Sequence, residues 1–214
     1  MASSSTSKQL IGNFVIALSN KQPTPGGGAA AAVGAAVGAA AAQMAAAYTT
    51  RKVDLESGAA VKAEALIAMI NVEGLVNAAD DDAAAYADLQ RTWKENDMPP
   101  AEKSRIEARA LAVPTSLLEK CHEYILNIHT FLPSCNPNIA SDAKVGIHQL
   151  AGAARAAYQT VLVNSPPVKE KERLRALLKE ISSVEEDLLE WDWILKMKGS
   201  WLFSFTSPVG TTKT

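Results

Sequence analysis

The stretch Pro23-Thr24-Pro25-Gly26-Gly27-Gly28, followed by Ala29-Ala30-Ala31-Ala32-Val33-Gly34-Ala35-Ala36-Val37-Gly38 and further small residues to Ala47, decides the fold. Two prolines resist helix, and three glycines accept any backbone angle. The run behind them is almost wholly alanine, the strongest helix former. An abrupt loop-to-helix junction follows, with no side chain to shield its first turn. Such an N-terminus presents unpaired N–H groups and a partial positive charge, so it suits an anion. A helix of small side chains also lets neighbouring backbones come close. The glycine triplet by itself is a weak signal, because many such triplets are only flexible turns.

Outward from this junction, helical spacing recurs almost everywhere and strand alternation is nearly absent. A first helix is expected from near Lys8 to Leu18, with Leu10, Ile11, Phe14, Val15 and Leu18 as its apolar stripe. The alanine-rich helix should reach about Arg51. Ser57-Gly58 restarts a helix bearing Leu66, Ile67, Met69, Ile70, Leu75 and Val76, which continues through Tyr86 to Trp93. A new helix begins after Pro100, with Glu102 well placed at its positive end. Pro114 interrupts or kinks it, and a further helix covers Thr115 to Phe131. Leu132 to Ile139 reads as a loop. Ser141 is the expected N-cap of the next helix, which ends near Asn164 before Pro166-Pro167. The last helix covers Lys169 to Met197. The predicted architecture is all-α: a mostly antiparallel bundle of long helices in a single domain, residues 8–198, with 1–7 and 199–214 as flexible tails.

The 214 residues carry a net charge of −2 with the signs mixed, so no basic block points to nucleic acid. Two cysteines, Cys121 and Cys135, are too few for a disulfide framework and suit a reduced, cytoplasmic chain. The polar N-terminus lacks the apolar core of a secretory signal. Ala29 to Thr50 is uncharged and long enough to span a bilayer, and Gly34-x-x-x-Gly38 matches a membrane packing motif. Its larger aliphatics are only Val33, Val37 and Met44, however, and alanine drives insertion weakly. The expectation is therefore a fully buried helix of a soluble protein, with no membrane partner.

No zinc signature, Walker loop, dinucleotide fingerprint or Gly-x-Ser-x-Gly elbow is present. Asp80-Asp81-Asp82 is a tight acidic cluster, and Asp82 shares a helix face with Tyr86. A solvated acidic turn explains the cluster blandly. If one carboxylate faces inward, burial and like-charge neighbours raise its pKa and suit it to proton transfer. Cys135-Asn136-Pro137-Asn138-Ile139-Ala140-Ser141-Asp142 is a second candidate, although a turn into a capped helix accounts for it as well. His122 and His129 lie near Cys121 and Cys135 in sequence, but the spacing fits no standard metal site, so no metal is expected.

Together, the Pro25-Gly26-Gly27-Gly28 junction with its alanine helix, Asp82-Ala83-Ala84-Ala85-Tyr86, and Asn136-Pro137-Asn138-Ile139-Ala140-Ser141-Asp142 resemble, in order, the cyclodeaminase/cyclohydrolase family. The resemblance runs from about Leu10 to Trp193 and includes Lys52 and Asn164. It implies an all-helical homodimer that acts on the one-carbon unit of tetrahydrofolate and needs no cofactor beyond that substrate. Cyclodeaminases close 5-formimino-tetrahydrofolate to the methenyl form and release ammonia; cyclohydrolases interconvert the methenyl and 10-formyl forms.

On this resemblance Asp82, Asp142 and Lys52 are the catalytic candidates. Pro25, Gly26, Gly27, Gly28, Tyr86, Asn136, Asn138, Ser141 and Asn164 are the substrate-binding candidates. The chain departs from the family pattern at Ala29, where serine is usual, and at Thr160, where asparagine is frequent. The segment between Tyr86 and Pro114 is shorter by about two helical turns. A degenerate folate binder and a non-enzymatic helical assembly module are the alternatives. The carboxylates separate these readings: an enzyme expects Asp82 and Asp142 in one pocket, an assembly module expects both on solvated surface.

Overall fold

A computed structural model of the chain describes residues 10–190, and the expectations for residues 1–7 and 199–214 lie outside them. Among the described residues the secondary structure is helical throughout. Eight α-helices follow in order: α1 (Ile11–Ser19), α2 (Gly27–Ala47), α3 (Lys52–Glu56), α4 (Ala59–Met69), α5 (Val72–Lys94), α6 (Pro100–Phe131), α7 (Ala140–Val163) and α8 (Val168–Glu190). A 3-10 turn, Leu132–Ser134, links α6 to the loop before α7. The all-α, single-domain expectation holds.

The alanine-rich α2 is the axis of the molecule and packs chiefly against α7 and α5. Its crossing with α7 is backbone against backbone. A Cβ on Gly38 would lie 2.9 Å from the Gly146 carbonyl oxygen, and one on Gly146 would lie 2.7 Å from that of Gly38. Only glycine at both positions permits this approach. The wider core is filled by Leu118, Ile125 and Ile128 of α6, Ile147 and Leu150 of α7, and Leu174 and Ile181 of α8. By length and composition α2 could cross a membrane, yet over half of its apolar window is buried in the bundle. It is not fully buried, contrary to expectation: Val37, Met44 and the following Tyr48 are exposed along one stripe.

Several boundaries differ from the sequence-based reading for identifiable reasons. The alanine helix stops at Ala47 rather than near Arg51. There the Asn136 side chain donates to the Tyr48 carbonyl (2.9 Å), and the Asn136 N–H donates to Thr49 Oγ1 (3.0 Å). The helix expected to run from Gly58 to Trp93 is broken at Ile70-Asn71, because Asn71 Oδ1 accepts the Gly74 N–H at 2.8 Å and starts a new helix. Conversely, Pro114 does not divide α6, which runs unbroken from Pro100 to Phe131. Proline deprives the Ala110 carbonyl of its helical donor, and Asn164 Nδ2 supplies one at 2.8 Å. Finally, α7 starts at Ala140 with Ile139 as N-cap, so Ser141 lies inside the helix instead of capping it. The turn before it is closed by Asn136, whose Oδ1 accepts the Asn138 N–H and whose carbonyl accepts that of Ile139.

The three histidines all face carboxylates of α8. His122 pairs with Glu180 at 2.7 Å, His148 with Glu185 at 3.2 Å, and His129 lies 3.8 Å from Asp187. Among the described residues no cluster of His, Cys, Asp or Glu is arranged to hold a metal ion.

Candidate active site at the N-terminus of the alanine helix

The loop-to-helix junction lies against the acidic segment of α5. Gly26 is the N-cap of α2 and makes no side-chain cap, so the first-turn N–H groups get no partner from the cap residue. Into this opening comes Asp82, whose carboxylate accepts the Ala29 N–H. The approach depends on Gly28: a Cβ there would sit 1.9 Å from Asp82 Oδ1 and 2.4 Å from its carboxyl carbon. Desolvation raises the Asp82 pKa above the ordinary carboxylate value, and the Ala29 N–H partly offsets that rise. The neighbouring Asp81 is exposed and lies 3.7 Å from Arg109. Of the two, Asp82 is the half-buried one.

Asp82 opens onto a cavity of about 460 Å³. Thr24, Gly26, Gly27 and Gly28 form one wall; Tyr86, Leu89 and Trp93 continue the α5 face; Gln159, Thr160, Val163 and Asn164 close it from α7. Pro25 lies between two of the lining residues. The Asn164 amide nitrogen is committed to the carbonyls of Ala110 (2.8 Å) and Thr160 (3.2 Å). Six of the candidates thus converge: Gly26, Gly27, Gly28, Asp82, Tyr86 and Asn164.

The other candidates lie elsewhere. Helices α2 and α7 run antiparallel, so the N-terminus of α7 sits beside the C-terminus of α2. Asp142 and Asn164 are separated by the length of α7, roughly 33 Å at 1.5 Å per residue. At this far end Asn136 is buried and ties the loop to Tyr48 and Thr49. Lys52 is exposed, 3.8 Å from Glu56. Ser141 Oγ lies 3.4 Å from Asp142 Oδ2. The dominant polar feature there is one that the sequence analysis did not single out. Arg51 grips the buried Asp54 through Nε and a terminal nitrogen (2.8 and 2.7 Å), and its N–H donates to the same carboxylate. These hydrogen bonds hold Asp54 below the usual carboxylate range. Burial raises the pKa of the nearby Cys135 thiol and pushes Cys121 up to about 12, so both are inert thiols.

Fold and cavity together define a helical-bundle protein with one desolvated carboxylate at an uncapped helix N-terminus. The chain belongs to the formiminotransferase-cyclodeaminase family, whose model matches residues 10–183. In fold it is similar to the crystal structure of formiminotetrahydrofolate cyclodeaminase from Thermotoga maritima. That match has a TM-score of 0.65 at 20% identity and covers 84% of this chain and 91% of that one. No curated protein sequence matches.

Proposed function

We propose that the chain is a formimidoyltetrahydrofolate cyclodeaminase, converting 5-formimino-tetrahydrofolate to 5,10-methenyl-tetrahydrofolate and ammonia. The observation that carries this reading is the Asp82 carboxylate, desolvated yet open to a cavity. The family and the likeness to the Thermotoga formiminotetrahydrofolate cyclodeaminase suggest the substrate class.

The reaction needs one proton moved over a short path. N10 of the substrate attacks the protonated formimino carbon, forming the C–N10 bond and a tetrahedral centre. Asp82 takes the proton from N10 and delivers it to the exocyclic nitrogen, whose bond to carbon then breaks to release ammonia. The positive charge present at the start ends on the methenyl bridge, so atoms and charge balance without a further cofactor. A carboxylate whose pKa is raised by burial above its ordinary value suits both halves of this transfer. The Gly26–Gly28 segment, Tyr86 and Asn164 line the space left for the substrate.

Asp142, Lys52, Asn138 and Ser141 enter this reading through a homodimer, while the buried Asn136, committed to Thr49, Tyr48 and Asn138, holds their loop in place. The exposed apolar stripe on α2 runs from Val37, at the middle of the helix, through Met44 to Tyr48 just past its end. It adjoins a groove against α7 lined by Ala30, Gly34, Gly152 and Ala156. A two-fold axis near Val37 crosses two copies of α2 antiparallel and brings the Asp142 end of one protomer toward the Asp82 end of its partner. In this arrangement Asp142 and Lys52 serve the partner's cavity, orienting Asp82 or holding the glutamyl tail.

The test is to mix the purified protein separately with 5-formimino-tetrahydrofolate and with 5,10-methenyl-tetrahydrofolate while following the methenyl chromophore. Appearance of the chromophore from the formimino compound, with stoichiometric ammonia, is expected. Accelerated decay of the methenyl compound alone assigns a cyclohydrolase instead, and no change in either overturns the enzymatic reading.

A further inference from the structure

The α5 face beyond Asp82 carries Tyr86, Leu89 and Trp93, spaced four, seven and eleven residues on, all lining the same cavity. At 1.5 Å per residue this line extends roughly 16 Å along the helix. Trp93 is 62% exposed, an unusual state for the largest apolar side chain. It is nonetheless held in place: its ring meets Tyr86 edge-on, with centroids 6.3 Å apart and planes at 79°. Two aromatic rings at nearly a right angle form a corner, and the corner opens onto the cavity. Around it the lining turns apolar, with Leu89 and Val163, whereas Asp82, Gln159 and Asn164 are polar.

Building on the proposed folate reading, we infer that Trp93 is the specificity-determining residue for the p-aminobenzoyl ring of the substrate, which stacks in the Trp93–Tyr86 corner. The two rings of the substrate differ in what they need. The pterin is rimmed with hydrogen-bond donors and acceptors and belongs beside the polar groups. The benzoyl ring offers two bare π-faces and is held by aromatic contact. With the one-carbon unit at Asp82, the benzoyl ring points along α5 toward Trp93. Side chains on a helix lean toward its N-terminus, so the Trp93 ring covers the turn before its own position and shortens the reach from Asp82.

The test compares wild type, Trp93→Ala and Trp93→Phe, with p-aminobenzoyl-glutamate and 6-methyltetrahydropterin as separate competing fragments. Trp93→Ala is expected to raise KM by roughly fivefold, in line with loss of one aromatic pair, while kcat stays within about twofold. Inhibition by p-aminobenzoyl-glutamate weakens in parallel, that by the pterin does not, and Trp93→Phe restores most of both. Binding of p-aminobenzoyl-glutamate also quenches the fluorescence difference between wild type and Trp93→Phe, which isolates Trp93 from the other tryptophans. An active wild type with unchanged KM in Trp93→Ala overturns this inference alone, as does loss of the pterin's inhibition in place of the benzoyl fragment's. A wild type that binds p-aminobenzoyl-glutamate through Trp93 but turns over no folate supports it while sinking the catalytic reading. Absence of both overturns both.

Discussion

The two ends of α2 use polar groups in opposite ways. At the C-terminal end they are saturated: Asn136 uses its N–H, amide nitrogen and amide oxygen on Thr49, Tyr48 and Asn138, and Asp54 takes three hydrogen bonds from Arg51. At the N-terminal end an acid is desolvated beside a bare helix terminus with one backbone donor, and a cavity stands in front of it. Saturation fixes a fold. A half-buried carboxylate left with one donor carries a standing cost that is maintained where chemistry uses it.

The largest expected effect breaks this contrast directly. Asp82→Asn keeps the shape and the Ala29 contact but cannot carry the proton, so kcat should fall roughly 10²- to 10⁴-fold, measured by ammonia release, with substrate binding retained. Full activity in that variant removes Asp82 from the mechanism. If Asp142 serves the partner protomer, Asp142→Asn is also impaired, and mixing the two inactive variants regains activity. Random exchange rebuilds one intact site in each mixed dimer, so about a quarter of wild-type activity is expected. Two inactive variants that stay inactive when exchanged refute the shared site.

Two glycines make the next comparison, because both have close neighbours of different kinds. At Gly28 the obstructed atom is the Asp82 carboxylate, and at Gly38 it is the backbone of α7. Gly28→Ala should displace Asp82, lower kcat at least about tenfold, and leave the melting temperature nearly unchanged, since alanine favours helix. Gly38→Ala should do the reverse: it forces α2 and α7 apart and costs roughly 1–3 kcal/mol of stability, read in thermal unfolding, with activity per folded molecule preserved. Equal melting temperatures for the two variants would erase the distinction.

Much of this was legible in the residues. Proline, glycine and alanine at positions 23–47 announce the junction, and the order of its motifs with Asp82 and Asn136 identifies the family. What was not legible is long-range. Asp82 and Asp142 look like one site in sequence, but the antiparallel pairing of α2 with α7 carries them to opposite ends. Pro114 reads as a helix breaker because its remedy, the Asn164 amide, lies 50 residues downstream. Asn71 was hidden inside an unbroken apolar pattern, although its side chain is an ordinary N-cap. The line Asp82, Tyr86, Leu89, Trp93 was readable at helical spacing; its importance came only with the cavity.

At the saturated end, Asn136→Ala tests whether the network is structural. It removes the amide contacts to the Tyr48 carbonyl and the Asn138 N–H and leaves buried groups unpaired, an expected loss of roughly 1–3 kcal/mol. A lower melting temperature with little change in KM is the predicted result. An unchanged melting temperature with a raised KM would instead put Asn136 on the substrate.

The smallest effect concerns Asp82 and pH, and its sign runs against intuition for an acid. Burial raises the folded-state pKa of Asp82 above the unfolded value, so the folded protein holds this proton more tightly than the unfolded chain does. The resulting stabilisation is fully present below the unfolded carboxylate range and is lost as pH rises through the raised folded value. Above that raised value the ionised Asp82 is therefore a small burden on the fold. Asp82→Asn should melt slightly above wild type at pH 7, and the advantage should vanish in acid, where both carry a neutral side chain. A carboxylate serving as one more surface or ion-paired acid predicts the opposite: a variant no more stable than wild type at pH 7. The comparison of melting temperatures across pH thus reads, without any substrate, whether the N-terminal end of α2 trades stability for a usable proton.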